Sequence, residues 1–308
     1  GKPSSYLECF EWFLAPTDLD NKNPKPELAP DVINNSWGCP EVEGCNASNW
    51  QVMQRVVIAL KAAGIFVVVS AGNSGPNCNT IDDPAAFFKE SFTVGAHNIS
   101  GGIAGFSSRG ASSYDTVAIK PDITAPGVGV RSLLRNGTYA NFNGTSMAGP
   151  HVAGAVALIL SAVPALKGKV EIVEDILKKS ARPNRAEKSC GGVDSLAIPN
   201  NTFGHGRLDI LKALQLAQTY QVTNEEEIAL NLIEIYPNPT SDYFYIKGLD
   251  DAPFDLRIYD MTGKLVMQKV ETSPIIYVPA EVIDNVYFCK IEQKGSVMMN
   301  KVVVWRGR

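Results

Sequence analysis

Ile65-Phe66-Val67-Val68-Val69, followed by Ser70-Ala71-Gly72-Asn73, is the stretch on which the fold turns. Its first five residues are almost wholly β-branched and apolar without alternation, which is how a strand covered on both faces reads. Upstream, residues 48–63 place Met53, Val56, Val57, Leu60 and Ala63 on one face of a helix that stops at Gly64. Residues 29–36 form an earlier strand, so the three pieces make a βαβ unit. In such sheets the functional loops lie beyond the carboxyl ends of the strands.

The same alternation runs on. Residues 91–96 read as a strand and 119–125 as another that stops at Pro126-Gly127, with helices at 151–162, 169–180 and 208–217. The expected fold class is therefore α/β over residues 1–219, a parallel sheet with helices on both faces. After Thr219 the composition shifts, and Asn224-Glu225-Glu226-Glu227 marks a linker at 220–230. From 231 to 308 the pattern has period two: Tyr243 and Tyr245 alternate with Phe244 and Ile246, then come runs at 256–259, 265–270, 286–292 and 297–304. Gly, Asn and Asp turns separate them, as in a small antiparallel β-sandwich.

Charge and apolar runs exclude some partners. The 308 residues carry 28 Lys and Arg against 32 Asp and Glu, a net charge of −4 with no long run of either sign, so nucleic acid is not expected as a partner. The longest apolar stretch, 152–163, falls short of the roughly 20 residues a bilayer requires, so no transmembrane segment is expected. Gly1-Lys2-Pro3 opens neither a charged nor an apolar leader. Either export information lies elsewhere or the start is missing. The six cysteines lack CxxC spacing, against a zinc site. Cys39 and Cys45 bracket a five-residue loop that a disulfide would staple in an oxidising compartment, free thiols being the alternative.

The chemistry concentrates in Asn143-Gly144-Thr145-Ser146-Met147-Ala148-Gly149-Pro150-His151, a turn of small residues leading into an apolar helix. A serine at a helix N-terminus sits among free N–H groups that favour developing negative charge. Ser146 is thus a candidate nucleophile, with an ordinary capping serine as the alternative. Gly144 to Gly154 resembles the nucleophile motif of the subtilisin-like serine peptidases. The resemblance implies an acyl-enzyme on Ser146, with Thr145 beside it in the substrate site. Val67 to Gly75 resembles the segment that holds the family's oxyanion asparagine, here Asn73, for which a turn asparagine in the left-handed region is the alternative. Asp31-Val32-Ile33-Asn34-Asn35-Ser36-Trp37-Gly38 is similar to the substrate-cradling strand, so Ser36, Trp37 and Gly38 are expected to wall the pocket opposite Ala71 and Gly72. Trp37 as simple core packing is the other reading. Phe92 to Ala96, Ala104 to Gly110, Lys120 to Gly127 and Phe203 to Gly206 match as well, and within the family Asp31 to Gly38 and Phe13 to Asp18 look most like the bacillopeptidase F branch.

The family also requires an aspartate and a Gly-His-Gly-Thr histidine upstream of the cradle strand, and this sequence has neither. His151 follows Ser146 on the same helix, while His97 and His205 fall in matches to non-catalytic segments. The expectation is the C-terminal portion of a longer peptidase, inactive alone, with an open sheet edge that makes it prone to aggregate. The last 75 or so residues resemble type IX secretion sorting domains, which implies recognition by that secretion machinery and a secreted or surface-attached protein; a fibronectin-like accessory module is the alternative. The implied partners are protein or peptide substrates. No cofactor is expected in the chemistry, and the structural calcium common in the family has no assignable ligand set here. The rival functions are a non-catalytic peptide-binding protein and a surface adhesin.

Overall fold

The computed structural model describes residues 1–112, 114, 118–220, 234–261, 263–280, 282–283, 285–293 and 296–306. They fall into two compact units, one of Gly1–Pro3, Asp31–Val57 and Gly64–Tyr220, the other of Ser4–Pro30, Ile58–Ala63 and Gln221–Arg308. The expected linker lies, past Tyr220, outside the described residues. So do Thr262, Lys294 and Gly295 of the turns expected between the runs at 256–259 and 265–270 and between those at 286–292 and 297–304.

In chain order the elements of the first part are helix α1 (Pro3–Leu14), strand β1 (Val32–Asn35), helix α2 (Trp50–Ala62) and strands β2 (Phe66–Ser70), β3 (Phe92–His97) and β4 (Ile123–Pro126). A hairpin of β5 (Val130–Leu133) and β6 (Tyr139–Phe142) follows, then helices α3 (Thr145–Ala162), α4 (Val170–Ser180) and α5 (Ile210–Thr219). Strands β1 to β4 form a parallel sheet in that order, with Ile33 beside Val67 and Val69 beside Thr93. Every residue of β2 and β3 is buried, so both faces of the sheet are covered, as the unalternating run at 65–69 implied.

Helix α3 lies against all four strands of that sheet. It is 18 residues long and, by length and composition, apolar enough to cross a membrane, yet its buried side chains, among them Val152, Val156 and Ile159, belong to the domain core. The strand expected at 119–125 shrinks to Ile123–Pro126. Pro121 offers no N–H to a ladder, and Lys120 is instead fully buried. Its Nζ donates to Ser91 O at 2.6 Å and to Asp122 Oδ2 at 2.7 Å, and the Thr93 N–H donates to the same carboxylate oxygen at 2.7 Å. Lys178 on α4 reaches Asp122 Oδ1 at 3.1 Å. Burial by itself would raise the Asp122 carboxyl; the two ammonium groups and the Thr93 N–H outweigh it and hold it below the usual range. The exposed hairpin β5–β6 had no sequence signal, because none of its residues is buried and no alternation is imposed.

Two disulfides staple this unit. Cys39 joins Cys45 with Cα atoms 5.6 Å apart, and Cys78 joins Cys190 at 5.4 Å across 112 residues of sequence. Cys9 is free and exposed, Cys289 free and buried.

The C-terminal strands are β7 (Glu234–Tyr236), β8 (Tyr243–Lys247), β9 (Phe254–Asp260), β10 (Leu265–Glu271), β11 (Ile275–Tyr277), β12 (Asn285–Gln293) and β13 (Ser296–Val304). They make two antiparallel sheets, β10-β9-β12-β13 and β11-β8-β7. Phe244, Ile246 and Ile276 of one sheet share a core with Leu256, Cys289, Ile291 and Val302 of the other, which is a β-sandwich. Past β13 the chain remains anchored: Trp305 N–H donates to Thr240 O at 2.7 Å, and the Arg306 guanidinium donates to the carbonyls of Pro279, Ala280 and Val282.

Candidate active site

Three loops converge at the carboxyl end of the parallel sheet. β1 runs into Ser36-Trp37-Gly38, β2 into Ala71-Gly72-Asn73, and the turn after β6 delivers Gly144 and the first turn of α3. Ser36, Trp37, Gly38, Ala71, Gly72, Asn73, Thr145 and Ser146 all line one cavity of about 230 Å³. Every substrate-site and catalytic residue expected from the sequence is therefore at this one place.

The first turn of α3 is held by a polar lattice. Ser70 Oγ donates to Thr145 O at 2.9 Å, and Ser36 Oγ donates to Ser146 O at 3.1 Å. Asn34 Nδ2 in turn donates to Ser36 Oγ at 2.9 Å. Gly149 is where the helix meets the sheet loop, since a Cβ there would stand 2.6 Å from Asn34 Oδ1. Gly144 takes φ of +154°, a region L side chains avoid, to turn the chain into the helix. The capping position belongs to Gly144, and Ser146 sits one residue inside the helix rather than capping it. Its N–H is one of the first-turn donors with no intrahelical acceptor.

Asn73 is oriented by a neighbour the sequence did not single out for that purpose. Its Oδ1 accepts from Thr145 N at 2.9 Å and from Thr145 Oγ1 at 3.1 Å, which turns Nδ2 away from them. The buried Thr145 Oγ1 also accepts from Gly72 N at 3.2 Å, so one hydroxyl ties the two loops together. Among the described residues Nδ2 has no acceptor, and it lies near the Gly144 turn at the mouth of the helix. Asn73 is not in the left-handed region; Gly72 is, with φ of +100°. Trp37 is half-buried, and its Nε1 donates to Asn35 Oδ1 at 3.2 Å, so its indole is fixed at the cavity wall.

None of the three histidines lines the cavity. His151 Nδ1 bonds Met147 O at 2.8 Å one turn back on α3, and His97 Nδ1 bonds Asn98 O at 2.9 Å. Burial pushes both His97 and His205 below the usual imidazole range. Two acids do line it, Asp82 and Asp83. They escaped the sequence reading because nothing in an Asp-Asp pair before a proline signals that the loop folds back beside Ser146. Among the described residues there is no group of three or more His, Cys, Asp or Glu side chains placed to hold a metal ion.

Residues 19–206 match the model of the subtilase family, peptidase S8. The chain belongs to the subtilase family. Residues 234–305 match the secretion system C-terminal sorting domain, which makes this a subtilisin-like serine peptidase chain with a sorting tail, secreted or attached to the cell surface. It is 42% identical to bacillopeptidase F of Bacillus subtilis (strain 168) over 221 residues, 70% of this chain and 14% of that protein. With subtilisin DY of Bacillus licheniformis it shares 44% identity over 138 residues, 44% of either chain. It thus spans less than half the length of these relatives. Among solved structures, the prenylagaramide maturation protease PagA superposes with a TM-score of 0.48 at 23% identity, covering 61% of this chain and 62% of that one.

Proposed function

We propose that this chain carries the nucleophile, oxyanion donors and substrate cradle of a secreted serine endopeptidase, in a peptidase part at 1–219 joined through 220–230 to a sorting domain at 231–308. The observation that carries the proposal is the convergence of Ser146, Asn73 and the Ser36–Gly38 and Ala71–Gly72 walls on one cavity. Ser146 Oγ attacks the scissile carbonyl carbon while a base takes its proton. The carbonyl oxygen, now carrying the negative charge, is met by the Ser146 N–H and by Asn73 Nδ2, whose direction Thr145 sets through Oδ1. Collapse expels the amine with the proton returned to it and leaves the acyl-enzyme, which water then cleaves by the same path in reverse.

The base, a histidine, and the aspartate that orients it are assigned to residues outside these 308, because His97, His151 and His205 all lie away from the cavity. The reaction is assigned no cofactor. The substrates are proteins or peptides, and the sorting domain engages the type IX secretion machinery.

Fluorophosphonate labelling of the full-length protein tests the reading. Label on Ser146, lost with peptidase activity in Ser146→Ala, is the expected result. A folded full-length protein that takes no label would make it a non-catalytic peptide binder.

A further inference from the structure

Within that peptidase reading, the cavity also speaks to which peptide bond is cut. Its walls include the Trp37 indole and the backbone and small side chains of Gly38, Ala71, Gly72 and Ala86, and the two charged side chains that face it are Asp82 and Asp83. Asp83 is half-buried, and its carboxylate presses on the Ser36–Gly38 wall so closely that a Cβ on Gly38 would stand 2.6 Å from Oδ2. Among the described residues the Asp82 and Asp83 carboxylates accept no hydrogen bond and meet no cation, only the Asp83 backbone carbonyl accepting from Ala86 N–H at 3.1 Å, and no Lys, Arg or His lines the cavity.

A partly buried carboxylate with a second one beside it and no counter-charge is costly unless something completes it. Burial, then Asp82, then Glu43 raise the Asp83 carboxyl above its usual value, so the negative potential is already felt within the pair. Glu43 has a partner in the terminal amine of Gly1 at 2.7 Å; the cavity pair does not. The cavity, of about 230 Å³, has room for one long side chain beside Ser146, and a lysine or arginine is the side chain whose stem suits the Trp37, Ala71 and Ala86 surfaces and whose head suits the carboxylates.

We propose that Asp82 and Asp83 make this pocket selective for a basic residue on the acyl side of the scissile bond, so that the enzyme cuts after Lys or Arg. Asp83, the more buried of the two, carries the larger share.

The test compares kcat/KM of the full-length protein on matched peptide anilides ending in Arg, Lys, Leu and Phe. Arg and Lys should be preferred, and Asp83→Asn should lower the Arg-to-Leu ratio by about 10- to 100-fold, the size of one charge-assisted hydrogen bond. Asp82→Asn, on an exposed side chain, should lower it less. It also serves if Asp83→Asn fails to fold. Preference for Leu or Phe, or a ratio indifferent to both substitutions, overturns the proposal while leaving the peptidase reading intact. If the protein neither labels nor turns over, the peptidase reading fails separately, and benzamidine binding then decides. Saturable binding weakened by Asp83→Asn upholds the basic pocket, and its absence sinks it.

Discussion

Asp122→Asn isolates the most demanding electrostatic feature of the peptidase unit. The carboxylate is buried, Oδ2 lying 2.7 Å from Lys120 Nζ and Oδ1 3.1 Å from Lys178 Nζ. Lys120 is itself 1% exposed, with Ser91 O as its other acceptor. The amide keeps the shape, but it removes the negative charge between two ammonium groups and turns an NH2 toward one of them. Breaking a buried pair from one side costs roughly 3–5 kcal/mol, out of a total folding stability of about 5–15 kcal/mol. At about 2–4 °C per kcal/mol for a domain of this size, the melting temperature should fall by roughly 6–20 °C. The pH dependence follows from the direction of the shift. The folded Asp122 carboxyl titrates below its unfolded value, so its stabilisation is present above the ordinary carboxylate range and is lost as pH falls through the lower, folded value. Thermal melts of wild type and variant from pH 7 to pH 2 should therefore converge at the acid end. A variant melting within about 1 °C of wild type at pH 7 would refute the argument that a buried charge is left uncompensated.

Thr145→Val keeps the side-chain shape but strips the hydroxyl from Gly72 N–H and Asn73 Oδ1, at a cost of about 1–3 kcal/mol in stability. It should also lower kcat with little change in KM, approaching the roughly 10²–10³ loss known for removal of the oxyanion asparagine in a subtilisin; a change in KM alone would count against the orienting role. Replacing both Cys78 and Cys190 by Ser opens a loop of 112 residues and should cost about 2–5 kcal/mol in denaturant melts, and a midpoint unmoved by reducing agent would contradict the pairing. His97 and His205 are held neutral by burial, so their contribution is complete above the usual imidazole value and is lost as pH falls from there toward the lower folded values. The melting temperature should drop between pH 7.5 and pH 5.5, a drop that replacing both histidines with Gln should flatten.

The parallel sheet, the apolar helix that carries Ser146 and the sandwich strands were legible because each is written in local periodicity. Ile65 to Val69 lacks alternation since both of its faces are covered, and Phe244 and Ile246 alternate with Tyr243 and Tyr245 since only one side of that strand meets a core. The meeting of Ser146, Asn73 and the Ser36–Gly38 loop at one cavity was legible for another reason, that each is a contiguous motif at the end of an element. What the sequence left open depends on residues far apart in the chain. Thr145 reaches Asn73 and Gly72 across more than seventy residues, Asp122 finds Lys178, and Cys78 finds Cys190 rather than any nearer cysteine. Asp82 and Asp83 carry no local pattern at all, and only the return of their loop beside α3 turns two surface-looking acids into the lining of a pocket. Local order is set by side-chain sterics and periodicity within a few residues, whereas the cost of burying a charge or an amide is settled only when the whole chain has decided what lies against it.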